Sequence, residues 1–249
     1  MPNQARIYIG FVIAAGIAIL ATSYAWWESR DPLHYLIYLL LTILTSALKV
    51  KLPGMTGTLS LNFLFLLIGV SGLSFGEAVT MGCAAALVQS VWKAKLRPKL
   101  VQVLFNVASL AISVAVSYFV FHLALFHGPN ASLPALMVLV ACVYFLTNTV
   151  LVSAVLSLVE GRPLQKVWRQ CFLWSFPYYL VGAVLIGLLG ASGRSVDWQS
   201  SLLALPLMYL IYLYYRLYVD GRRSEKRATS GPWISEIEAR RSFAELPPC

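Results

Sequence analysis

Residues 49–65 read KVKLPGMTGTLSLNFLF. Two lysines and a Pro-Gly-x-x-Gly turn run, without an acidic residue, straight into an apolar segment that has almost no polar face. A soluble protein would follow such a turn with a helix or strand that alternates apolar and polar faces. What the stretch means therefore depends on the solvent around the chain. Over 249 residues the composition is 59% hydrophobic and 12% charged, with a mean hydropathy of +0.74. Soluble domains carry roughly 25% charged residues. The composition is that of an integral membrane protein, in which about 20 apolar residues cross a hydrocarbon core about 30 Å thick. In lipid a helix satisfies its backbone groups within one segment.

The expected fold is accordingly all-α, a polytopic membrane helical bundle of about eight transmembrane helices. The apolar runs fall at 7–26, 33–48, 58–75, 78–93, 100–126, 134–158, 171–190 and 199–219. Residues 1–220 form the membrane domain and 221–249 a basic tail with a short helix. Of the 19 lysines and arginines, all but Arg30 and Arg194 lie on one side of such a bundle. The positive-inside rule then makes both termini cytoplasmic, and the localisation expected is a cell inner membrane, crossed many times. The net charge of +9 reads as topology plus attraction to an anionic inner leaflet, with no nucleic-acid partner. Trp26, Trp27 and Trp198 fall at the outer interface and Trp92 and Tyr212 towards the inner one, where aromatic belts sit. The first run, with Arg6 before it and Ser23-Tyr24-Ala25 after it, also has the form of a cleavable signal peptide.

On this topology the opening stretch is the cytoplasmic turn between the second and third runs. Lys49 and Lys51 meet headgroups, Pro53, Gly54 and Gly57 reverse the chain, and Thr58 or Ser60 caps the third helix. The third and fourth runs form a tight hairpin joined by little more than Gly76-Glu77. Gly82-x-x-x-Ala86 and Ala183-x-x-x-Gly187 offer close helix approach.

A second stretch, KAKLRPKLVQVLFN at 93–106, sets Lys93, Lys95, Arg97 and Lys99 around Pro98 ahead of a long helix. It is either an interfacial anchor or a contact for a cytoplasmic signalling protein. Three segments in order, PGMTGTLSLNFLFLLIGVSGLSFGEA, RPKLVQVLFNVASLAIS and TNTVLVSAVLSLVEGRPLQKVWRQ ahead of FPYYL, resemble the MASE-type bacterial membrane sensor domains. The resemblance covers most of residues 45–220. It implies a sensory domain of the kind that precedes GGDEF or HD-GYP modules in cyclic di-GMP signalling. A catalytic module is then expected after YLYYRLYVDGRRSEKR, yet only ATSGPWISEIEARRSFAELPPC follows, so the reading is of an input domain without its output module. In that tail Ser235 and Glu238 form a candidate capping box.

Catalysis and cofactors are not expected. Glu28, Asp31, Glu77, Glu160 and Asp197 read as loop residues, and His34, His122 and His127 have no metal-ligand spacing. Cys83, Cys142, Cys171 and Cys249 form no CxxC. Asn62, Gln89, Asn106 and Asn148 fall on four different runs, all in the cytoplasmic half. They are either interhelical hydrogen bonds, about 0.6 kcal/mol each, or a ligand or switch layer that differs between two packings. Arg222, Arg223, Lys226 and Arg227 form a juxtamembrane cluster for lipid or partner contact. Two functions follow from these residues. One is a sensory or relay domain responding to a small-molecule or membrane cue. The other, from a fainter likeness, is the substrate-binding membrane subunit of an energy-coupling-factor-like transporter.

Overall fold

The computed structural model of the chain describes residues 2–25, 27–29, 31–47, 49–51, 58–60, 62–92, 98–123, 132–171 and 176–191, with positions 206, 209 and 213. In chain order the elements are α1 (Asn3–Ala25), α2 (Pro32–Ala47), β1 (Lys49–Lys51), β2 (Thr58–Ser60), α3 (Phe63–Gly72) and α4 (Phe75–Val91). There follow α5 (Leu100–His122), α6 (Leu133–Glu160), α7 (Leu164–Cys171) and α8 (Phe176–Ala191). Among the described residues the fold is a helical bundle with one small hairpin, in which α5 packs against α1, α3, α4 and α6.

The expectation of about eight transmembrane helices requires correction. Among the described residues three helices, α1, α5 and α6, are long and apolar enough to cross a membrane. At 1.5 Å per residue their 23, 23 and 28 residues extend about 35–42 Å, beyond the roughly 30 Å of hydrocarbon. By the same measure α2, α3, α4 and α8, with 16, 10, 17 and 16 residues, reach only about 15–25 Å. The clearest misreading is the run 58–75. Its first residues are strand β2, and from Phe63 to Val70 every residue of α3 is buried. An apolar stretch reads the same whether lipid or protein surrounds it, and α3 is apolar because it is a core helix. The expected run 199–219 and the tail 221–249 lie outside the described residues, apart from positions 206, 209 and 213.

The opening stretch, read from sequence as a turn between two spans, holds a pair of short strands. β1 pairs antiparallel with β2, Lys49 opposite Ser60 and Lys51 opposite Thr58, while Pro53, Gly54 and Gly57 lie outside the described residues. Neither Thr58 nor Ser60 caps α3. Its N-cap is Asn62, whose side chain makes no capping bond.

The bundle is apolar outside and partly polar inside, the signature of a lipid-facing protein. On α2, Leu33, Leu36, Leu40 and Leu44 form an exposed stripe at helical spacing, while Thr42, Thr45 and Ser46 are buried. Two of these hydroxyls return to their own helix, Thr45 Oγ1 donating to Leu41 O at 2.7 Å and Ser46 Oγ to Thr42 O at 2.6 Å, while Thr42 Oγ1 has no partner among the described residues. Small residues set the close crossings. A Cβ at Gly82 would lie 2.9 Å from Val114 Cγ2, and one at Gly16 would lie 2.6 Å from Ala108 Cα. Gly187 of the second small-residue pair packs in the same way against Pro134 at the start of α6. α6 ends on Gly161, whose left-handed φ of 66° suits glycine and turns the chain into α7.

Candidate functional site

The C-terminal ends of α1, α3 and α5 and the N-terminal ends of α2, α4 and α6 meet at one end of the bundle. Between them lies a cavity of about 1430 Å³. Each helix contributes to its wall, with Thr22 from α1, His34 from α2, Ser71 from α3, Glu77 from α4, Tyr118 from α5 and Met137 from α6.

Glu77 is the most unusual of these residues, being a carboxylate only 3% exposed. It is held by the start of its own helix and by the loop after α1. Ser74 is the N-cap of α4 and Glu77 its third residue, so the two form a capping box. Ser74 N and Ser74 Oγ each donate to Glu77 Oε2 at 3.0 Å, and Ser29 Oγ donates to Oε1 at 2.8 Å. Its position at a helix N-terminus places the negative charge where the peptide dipoles favour it. Among the described residues no lysine or arginine pairs with Glu77.

Aromatic rings line much of the remaining wall. His34 stacks on Tyr38 at 4.9 Å, and His122 on Tyr118 at 4.0 Å, each pair one helical turn apart. Phe75 leans on Tyr118 and Phe119 at 5.3 and 5.2 Å. Trp27, from the loop after α1, sits against Gly76, where a Cβ would come within 2.8 Å of its ring. Asp31 is at the rim, accepting from His34 N at 3.2 Å. A concave wall that is mostly apolar, with a few fixed polar groups, is the form small-molecule sites take.

The residues singled out from sequence lie elsewhere. Asn62 is buried at the start of α3, and its Nδ2 has no hydrogen-bond partner. Asn106 Nδ2 donates to Ser90 Oγ at 3.1 Å, joining α5 to α4 beside Gln89. Gln89 and Asn148 are half-buried. Among the described residues no hydrogen bond joins two of these four. Lys99 is exposed at the N-cap of α5, its N–H bonded to Gln102 Oε1 at 3.1 Å. Lys93, Lys95, Arg97, Arg222, Arg223, Lys226 and Arg227 lie outside the described residues.

The sequence reading put Glu77 in the turn between two spans. It is instead on the first turn of α4, and the turn is Leu73-Ser74. The Ser74-x-x-Glu77 pattern was the signal available for it. Towards the end away from the cavity, α7 folds back along α6, with Trp168 Nε1 donating to Thr149 Oγ1 at 3.0 Å and its ring 6.3 Å from Phe145.

Residues 25–219 match the family described as MASE9. The chain belongs to the MASE9 family. The match begins at the last residue of α1 and takes in every later element of the bundle, including all of the cavity wall except Ile19 and Thr22. The resemblance to MASE-type sensors is thereby borne out, and with it a membrane sensory role. As a MASE9 domain the chain is a non-catalytic, multi-pass membrane module. Among the described residues no group of histidine, cysteine, aspartate and glutamate side chains is placed to hold a metal. No curated protein and no solved structure matches the chain.

Proposed function

We propose that this MASE9 domain is the input of a cyclic di-GMP signalling system and that its cue is a small molecule received in the six-helix cavity. The observation that carries the reading is the convergence of six helix ends on one open-mouthed cavity. A ligand there touches every one of those helices, so it can bind two packings of the bundle unequally and shift their populations.

The cavity opens to the outside of the inner membrane in this reading. Support comes from the described cations. Arg6, Lys49, Lys51, Lys99, Arg162, Lys166 and Arg169 are all attached to helix ends or loops at the end away from the cavity. Basic residues mark the cytoplasmic side. There the domain meets anionic lipid through Lys93, Lys95, Arg97 and Lys99 and passes its signal through the segment carrying Arg222, Arg223, Lys226 and Arg227 to a GGDEF or HD-GYP partner. Asn62, Gln89, Asn106 and Asn148 serve as the switch layer. The unmet donor on Asn62 supports this, since a buried amide without a partner costs about 1–3 kcal/mol and a second packing that satisfies it would be favoured by that amount.

The test is to fill the cavity. Gly72 lines it, and a Cβ there would meet nothing within 4 Å. Gly72→Trp is expected to leave the amount of folded protein unchanged while occupying the ligand's space. In the host cell, wild-type protein is expected to shift the cyclic di-GMP concentration relative to a deletion strain, and Gly72→Trp to match the deletion. A Gly72→Trp strain that behaves as wild type would rule the cavity out as the input.

A further inference from the structure

The chemistry of the cavity wall narrows the class of ligand. The whole chain holds 10 acidic residues against 19 basic ones. Three of those acids, Glu28, Asp31 and Glu77, line this one cavity, and among the described residues no lysine or arginine lines it. In a chain with a strong excess of positive charge the described wall thus carries three acids beside two histidines, of which His34 lies 3.8 Å from Asp31.

The carboxylates stand among ring faces. Phe75, Trp27 and the tyrosine faces not covered by His34 and His122 supply quadrupoles that attract a cation. The capping box and Ser29 occupy three acceptor positions on Glu77 with neutral donors, which fixes the carboxylate without cancelling its charge. Carboxylate charge, aromatic faces and an apolar floor from Ile68, Leu133 and Met137 together suit a positively charged head on an apolar body. Carboxylates, fatty acids and phosphates are opposed by like charge.

We propose that the cavity recognises organic ammonium ions with an apolar body, supplied either by a free amine or by the headgroup of an ammonium-bearing lipid. This assignment rests on the cavity being the ligand site, and the experiment separates the two claims. The probes are 2-phenylethylamine, 2-phenylethanol and phenylacetate, which share one apolar body and carry positive, zero and negative charge at pH 7. Binding is measured calorimetrically on the full chain in nanodiscs of phosphatidylglycerol.

The amine is expected to bind at least about tenfold more tightly than the alcohol, and phenylacetate not at all. Glu77→Gln keeps the capping geometry and Asp31→Asn keeps an acceptor for His34 N, so both remove charge with little change of shape. Each is expected to weaken the amine by about tenfold and leave the alcohol unchanged, with Asp31→Asn carrying the test if Glu77→Gln fails to fold. Equal affinity for amine and alcohol, or preference for phenylacetate, would overturn the ammonium assignment and leave the ligand cavity standing. Failure of all three probes to bind would overturn both. Repeating the titration with phosphatidylethanolamine in the disc distinguishes the sources. A loss of amine affinity assigns the site to the lipid headgroup, and an unchanged affinity assigns it to a free amine.

Discussion

Gly16→Val is expected to destabilise the protein by about 3 kcal/mol, while Gly10→Val on the same helix changes stability by less than about 0.5 kcal/mol. The two glycines are six positions apart and equally apolar, so propensity and composition do not separate them. Their neighbours do. A Cβ at Gly10 meets nothing within 4 Å, whereas one at Gly16 enters the backbone of Ala108 on α5. α1 packs on α5 through Ile9, Val12 and Gly16 against Phe105 and Ala108, and the added methyls of valine would pry that seam open. Thermal unfolding in detergent, with the two variants side by side, reads the difference. Equal and small effects would mean that α1 does not dock on α5 as described.

Glu77→Ala is the second large effect, expected at about 3 kcal/mol. It removes hydrogen bonds from Ser29 and Ser74 to a charged group, each about 1.5–3 kcal/mol before relaxation, and dissolves the cap of α4. Glu77→Gln keeps an acceptor at the same place and is expected to cost about 1 kcal/mol, the difference between charged and neutral acceptors. The same thermal measurement ranks the three proteins. An alanine variant as stable as the glutamine variant would show that these hydrogen bonds do not hold the cavity end together.

The long helices were legible because their signal is local. The runs expected at 100–126 and 134–158 correspond to α5 (Leu100–His122) and α6 (Leu133–Glu160), and charges marked the start of the first and the end of the second. α3 was misread for a physical reason: Phe63–Val70 is apolar enough for lipid, yet the environment that made it so is the protein core. Hydropathy measures the polarity of a helix's surroundings and is silent about their identity.

The site was legible only in fragments. A reading by apolar runs drew the boundary of α4 at residue 78, left Ser74 in the preceding run and put Glu77 in a turn, although S-x-x-E before an apolar stretch is a helix start. Once α4 begins at Phe75, Glu77 faces the interior. The cavity itself has no local signature at all. It arises where six helix ends that are distant in sequence come together, and the pairing of Ser29 with Glu77 spans 48 residues. The polar residues chosen from sequence were picked because they were amides within apolar runs, a criterion that passes over serine, tyrosine and a capping glutamate.

The central claim is that the cavity end of this MASE9 domain samples the outside of the membrane while the α7 end lies in the cytoplasm. The most direct test is labelling of intact cells with a membrane-impermeant thiol reagent, in a chain whose 4 cysteines are replaced by alanine. Ser132→Cys reports the cavity end, at the exposed N-cap of α6, where the side chain makes no capping bond. Lys166→Cys reports the other end, exposed on α7. The account predicts that Ser132→Cys is labelled in intact cells and that Lys166→Cys is labelled only after the membrane is permeabilised. Labelling of Lys166→Cys in intact cells, with Ser132→Cys protected, would contradict it.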